Sequence, residues 1–119
     1  MQIHHVNIRT RNLDTAIAFY CGALGLRHGH RPDFGFPGAW LYDKDKPAVH
    51  LNLALDDQQP AHGGAFDHVA FEVADFDATL ARLEAAGVHC YGLRHLPGLP
   101  LRQCFMQDPD GITVEITGR

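Results

Sequence analysis

HVNIRTRNLDTAIAFYCGA (5–23) and HVAFEVADFDATLARLEAA (68–86) lie over one another without a gap when the chain is slid along itself by 63 residues. His5/His68, Val6/Val69, Asp14/Asp77, Ala18/Ala81 and Ala23/Ala86 are identical. Ile8/Phe71, Leu13/Phe76 and Ile17/Leu80 keep apolar character. Self-similarity at a fixed period is the mark of a duplicated unit. Each copy reads as a strand, a short polar stretch and a helix closed by Gly25 or Gly87, where a left-handed C-cap is wanted.

Three further strand-like runs follow each helix. In the first half they fall near 26–31, 39–43 and 48–55, separated by RPDFGFPG and DKDKP. In the second they fall near 88–94, 101–107 and 112–117, separated by HLPGLP and DPDG. The chain is therefore expected to be α+β: two βαβββ modules, about 1–56 and 66–119, joined by a linker at 57–65. One such module covers a single sheet face with its helix, so two are expected to pair into a half-barrel forming one domain over 1–119.

The composition narrows the partners. With 119 residues, 45% of them hydrophobic, the chain is long enough for a real core. A formal charge of −4 with scattered basic residues argues against a nucleic-acid surface or a polybasic membrane patch. No long apolar run or leader pattern stands out, so a cytoplasmic location and a small-molecule partner are expected. Three cysteines, far apart and without CxxC spacing, read as reduced packing residues.

Alternation then separates dry faces from wet ones. Val6 and Ile8 are apolar and leave His5, Asn7 and Arg9 opposite. Val49, Leu51, Leu53 and Leu55 leave His50 and Asn52 opposite. Val69, Phe71 and Val73 leave His68, Ala70 and Glu72. Ile112, Val114 and Ile116 leave Thr113, Glu115 and Thr117. Nine histidines are many for this length, and imidazole is the commonest metal ligand. First and last strands of each module thus each offer one potential ligand on the open face: His5, His50, His68 and Glu115. His4 falls on the helix side, paired with Asp67 in the repeat, and reads as structural or surface.

HHVNIRTRNLDTAIAFYCGALGL, FDHVAFEV and DPDGITVEI together resemble the vicinal oxygen chelate superfamily, which holds glyoxalase I, extradiol dioxygenases, fosfomycin-resistance transferases, methylmalonyl-CoA epimerases and bleomycin-binding proteins. The resemblance spans essentially the whole chain. It implies a divalent metal (Fe, Mn, Ni or Zn) held by His5, His68 and Glu115, with His50 at the corresponding fourth-strand position. Two imidazoles and a carboxylate leave open positions for two neighbouring substrate oxygens.

The resemblance to glyoxalase I implies a lyase or isomerase acting on a glutathione adduct; Glu115 and His50 are the expected catalytic residues. Arg9 stands where that enzyme has a glutathione-contacting arginine, and Asn52, Phe105 and Trp40 complete the expected substrate contacts. Two features depart from it: His50 replaces a carboxylate, and no further clear glutathione contacts are found. An extradiol dioxygenase using Fe(II) is the alternative, with His50 as base toward a catechol hydroxyl. Phe105 stands where those enzymes carry a tyrosine, and His95 lies farther from the DPDG strand than their upstream histidine does. A non-catalytic drug binder is the third reading. The segment 31–40, with Phe34, Phe36 and Trp40, reads as a substrate lid or an edge-packed loop. Exposed strand edges point to a homodimer.

Overall fold

Asn12 and Asp75, one in each copy of the repeat, start the two helices in the same way. Each is in an extended conformation and accepts from the backbone N–H three residues on, Asn12 from Thr15 at 3.1 Å and Asp75 from Ala78 at 2.9 Å. The computed structural model describes residues 2–54, 66 and 68–119. It divides into two units, 1–60 and 61–119. The expected linker at 57–65, Leu55 and Asp67 lie outside the described residues.

The first unit runs β1 (Val6–Thr10), α1 (Leu13–Ile17), β2 (Arg27–Gly29), β3 (Gly38–Asp43) and β4 (Lys46–Leu53), in the sheet order β1-β4-β3-β2. The second runs β5 (Val69–Glu72), α2 (Phe76–Ala85), β6 (Tyr91–His95), β7 (Arg102–Gln107) and β8 (Thr113–Gly118), in the order β5-β8-β7-β6. In both, the first and last strands are parallel neighbours and the remaining pairs are antiparallel. Each unit is thus the βαβββ module expected from the repeat, and the fold class is α+β with two four-stranded mixed sheets.

One difference separates the copies. After α1 the helix widens into a π-helical stretch, Ala18–Ala23, whereas α2 stays α-helical. The sequence carries the reason: Gly25 follows its cap by thirteen residues and Gly87 by twelve, and one extra residue in a helix is what a π-bulge absorbs. Both glycines have positive φ, 86° and 75°, and close their helices as expected. The N–H of Val88 reaches the Leu83 carbonyl at 2.9 Å, and that of Leu26 reaches back to Tyr20 at 3.0 Å.

Each helix covers the dry face of its own sheet. In the first unit Ile8, Ala16, Phe19, Tyr20, Leu41, Val49 and Leu51 are buried; in the second Phe76, Leu83, Cys104, Met106, Val114 and Ile116 are. Leu53, expected on the dry side, is exposed at the end of β4. Burial of this apolar set, at about 25 cal/mol per Å2, is what holds each sheet to its helix.

Two irregularities tune strand register. The extra residue of β4, between Val49 and Lys46 opposite Leu41 and Asp43, coincides with Pro47, which has no N–H to give the ladder. In β6 an extra residue sits between Tyr91 and Arg94, where Gly92 takes a φ of 66°. Among the described residues no helix is long and apolar enough to cross a membrane.

Candidate functional site

His50 lies near the middle of β4, the strand between β1 and β3, with Asn7 opposite on one side and Trp40 on the other. Glu115 lies in β8 between β5 and β7, with Ala70 and Phe105 opposite. The two registers superpose: Val6 pairs with Val49 as Val69 pairs with Val114, so His50 and Glu115 occupy equivalent places, as do His5 and His68. Trp40 and Phe105 are then equivalent aromatic neighbours on the third strand of each module.

In the first unit three rings stack. The His50 imidazole lies 3.8 Å from that of His5 with planes 10° apart, and 4.3 Å from Trp40 at 12°. His5 in turn shares a hydrogen bond between Nδ1 atoms with His4 at 2.8 Å. His4 is therefore surface-exposed, as expected, and also fixes the ring that carries a candidate ligand.

His50 is itself buried, and its Nε2 has no hydrogen-bond partner. Burial lowers its pKa from the ordinary value; the neighbouring His5, His4 and Arg31 act in the same direction, and the backbone of Pro47 opposes them through a hydrogen bond. With Pro47 engaging the ring and Nε2 unpartnered, the lone pair left available is on Nε2. That is the state a metal ligand or a proton acceptor requires.

In the second unit His68 Nε2 stands 3.1 Å from Glu115 Oε2. Two donors each about 2.1 Å from one ion, at an angle of about 90°, stand about 3.0 Å apart, so this pair already has the spacing of two ligands. The Phe105 ring meets His68 edge-on at 5.7 Å, and Tyr91 stacks beyond it at 6.0 Å. The turn before β8 sets the position of Glu115: Asp108, buried, accepts from the N–H groups of Asp110 and Ile112 at 2.8 Å each, and Gly111 supplies a φ of 83°.

Arg9 and Asn52 fall on the wet face of the first sheet, whereas His95 pairs with Arg102 on the helix side of the second. Arg9 is exposed on β1 and lies opposite Asn52, whose Nδ2 donates to Asn7 Oδ1 at 3.2 Å. His95 is exposed on the edge strand β6. Among the described residues no three potential ligands stand together; each unit contributes a close pair, His5 with His50 and His68 with Glu115. An open pocket of about 650 Å3 borders residues 2–4 and 43–47, where Lys46 Nζ donates to the Ile3 carbonyl at 2.7 Å. It contains His4 but none of the paired residues.

Arg31 was not singled out by the sequence. Its guanidinium carbon lies 5.0 Å from the Phe34 ring and 4.9 Å from Phe36, and Phe34 stands 5.9 Å from Trp40. The segment 31–40 is thus an aromatic cluster around a cation, continuous with the His50 stack. The signal that finds it is alternation: Arg27, Gly29 and Arg31 share one face of β2 and its extension.

The cysteines are free, as expected. Cys104 is buried, and its thiol is pushed up to about 12 by burial, with Cys90 and Glu115 adding to the effect.

Comparison with known proteins agrees with this architecture. Residues 2–116 match the model of the Glyoxalase/Bleomycin resistance protein/Dioxygenase superfamily. A lactoylglutathione lyase of Haemophilus influenzae is 31% identical over 122 residues, covering 97% of this chain and 90% of that protein. The Arabidopsis thaliana protein Glyoxylase I 4 is 28% identical, over 96% of this chain and 68% of its own length. The crystal structure of a glyoxalase family protein from Enterococcus faecalis superposes with a TM-score of 0.70 at 26% identity, covering 98% of this chain and 96% of that one. With the duplicated module, its strand order and a full-length family match in agreement, the chain belongs to the Glyoxalase/Bleomycin resistance protein/Dioxygenase superfamily.

Proposed function

We propose that this protein is a divalent-metal-dependent lyase of glyoxalase type, acting on a small substrate with neighbouring oxygens, such as a glutathione adduct. The observation that carries the reading is the equivalence of the two pairs. First and fourth strands of each module present His5 with His50 and His68 with Glu115 at matching register positions. The full-length similarity to a lactoylglutathione lyase supports the reaction class.

His5, His68 and Glu115, with His50, are the residues to hold the ion. Their chemistry, imidazole nitrogen and carboxylate oxygen, suits Fe, Mn, Ni or Zn, and the unpartnered Nε2 of buried His50 holds a lone pair with nothing to receive it. When bound, such an ion supplies Lewis-acid polarisation of two neighbouring oxygens. The protein's own part is proton handling and positioning. Glu115, beside His68, takes a proton from the substrate carbon and returns it to the adjacent one. His50 stays neutral near pH 7 because burial disfavours its charge. Trp40 and Phe105 wall their own sheets against water, and Arg9 and Asn52 offer donors along β1 and β4. Three free cysteines accord with a cytoplasmic setting. The edge strand β6, exposed along its length with Tyr91 and Leu93 outward, accords with a homodimer.

The test is metal content of the purified protein together with formation of S-lactoylglutathione from glutathione and methylglyoxal. His5→Ala, His68→Ala and Glu115→Ala are expected each to lower metal stoichiometry sharply with far-UV circular dichroism unchanged. Unchanged stoichiometry in all three ends the metal reading. Oxygen uptake on catechols without lyase turnover replaces the lyase with a ring-cleaving dioxygenase.

A further inference from the structure

The wet face of the first sheet is laid out in rows. One row runs Gly29, Trp40, His50 and Asn7 across β2, β3, β4 and β1. The next runs Gly38, Asn52 and Arg9, and continuing the β2 register past Gly29 places Arg31 at its far end. The side chain is found there. A Cβ built on Gly38 would stand 2.8 Å from Arg31 Nη2 and 2.9 Å from its Cζ. The guanidinium therefore lies on the bare backbone of Gly38, in space that exists because residue 38 has no side chain.

Two of its nitrogens, Nε and Nη2, are buried without a hydrogen-bond partner. These two share one edge of the guanidinium plane, the side-on fork that matches the two oxygens of a carboxylate or a phosphoryl group. The near carboxylate does not answer it: Asp33 Oδ1 accepts from the Gly35 N–H at 2.9 Å. Phe34 and Phe36 stand 5.0 and 4.9 Å from its Cζ and 5.9 Å from each other, so both rings crowd one side of the cation and neither offers an acceptor to the fork. A buried donor pair on a charged group is costly to leave unmet, and an anion satisfies both bonds at once. The rings beside it face solvent. Phe34 and Phe36 are each about half exposed, and Gly35 between them has a φ of 80° and open space around it.

We propose that Arg31 is the specificity residue of the site, receiving the paired anionic oxygens of a substrate that lies over Gly38 and Asn52 with its reacting end toward His50. Arg9, at the other end of the same row, has no acidic partner among the described residues and adds to the positive field there. The substrate class is accordingly a small anion carrying a carboxylate or phosphoryl group. This deepens the reading under Proposed function and rests on it for the identity of the reacting end.

The test is titration of the full chain, as purified and after EDTA, with benzoate, phenylphosphonate and neutral benzamide, read by the fluorescence of Trp40. Trp40 is the only tryptophan. Wild type is expected to bind one of the two anions at least about tenfold more tightly than benzamide, since a bidentate charged pair is worth about that or more. Which anion wins identifies carboxylate or phosphoryl as the natural group. Arg31→Met and Arg31→Gln are expected to lose the preference while benzamide binding holds. Arg31→Lys, which keeps the charge without the fork, should retain only part of it. Equal binding of all three probes by wild type, absence of anion binding, or a preference surviving in both neutral variants overturns the proposal. The two readings fail separately: no lyase turnover with Arg31-dependent anion binding removes the reaction alone, and turnover with an Arg31-independent preference removes this inference alone.

Discussion

Gly38→Ala tests both the strand register and the seat of Arg31. Its φ is not in the left-handed region, so alanine meets no backbone penalty there, and relief of glycine's unfolded-state entropy favours the variant by about 0.4–1 kcal/mol. Against that stands a steric conflict. The new methyl would lie 2.5 Å from the carbonyl oxygen of Leu51, in addition to the Arg31 contacts. An unstrained carbon-to-carbonyl approach is about 3.3 Å or more, so the two strands must part by about 0.8 Å or the methyl must tilt. Leu51 cannot yield by rotating a bond, because the clashing atom is backbone in a residue paired with Ala39 and fully buried. Forcing an extra methyl into such a place costs about 1–3 kcal/mol, leaving a net loss of about 1.3 kcal/mol at the midpoints of the two ranges.

Thermal and urea midpoints measure this directly, and for a chain of this length the loss corresponds to a fall of about 4–8 °C. The Arg31 share is separable. In the double variant Arg31→Ala/Gly38→Ala the Leu51 conflict remains and the Arg31 conflict is gone, so the cycle should show a coupling of about 0.5 kcal/mol or more. The anion preference should fall in Gly38→Ala even where the protein stays folded, because the guanidinium has lost its floor. A Gly38→Ala protein as stable as wild type, with no coupling to Arg31, refutes the register that puts Arg31, Gly38 and Asn52 in one row.

His50 makes stability depend on pH in a definite direction. Its folded-state pKa lies below the unfolded value near 6.5, so the unfolded chain binds the extra proton first as pH falls. Stability from this group is complete above about pH 6.5 and declines below it until the folded-state pKa is reached; His50→Gln should flatten that part of the urea-midpoint profile in EDTA-treated protein, and an unchanged slope refutes the burial argument. For the cysteines, a thiol-disulfide reagent at pH 8 should leave Cys104 unmodified in the native protein and label it after unfolding, as its burial and a pKa near 12 require; rapid native labelling at Cys104 counts against the packing role.

How legible the site is depends on which physical rule places each residue. His5 and His68 stand out because they sit at the head of the repeated stretch, and the helices followed from the polar stretch before each and its closing glycine. Alternation put His50 and Glu115 on wet faces because the period of two that writes the pattern also builds the sheet. Distance along the chain fails where loops differ in length. The offset of 63 that aligns the helices pairs Asn52 with Glu115, but the ladders make the offset 65 in β4 and β8 and pair His50 with Glu115 instead. Arg31 was hidden by another mismatch. Pro32 and the glycines around it read as the end of a strand, and so they are, yet the register continues past the last paired residue far enough to carry a side chain onto the sheet. The extra residue of the π-helical turn is likewise absorbed before Gly25, leaving β1 and β4 in register. Hydrogen-bond ladders hold residues to their neighbours across the sheet and take no account of the residues between, so a duplicated chain keeps its paired positions while its turns drift in length.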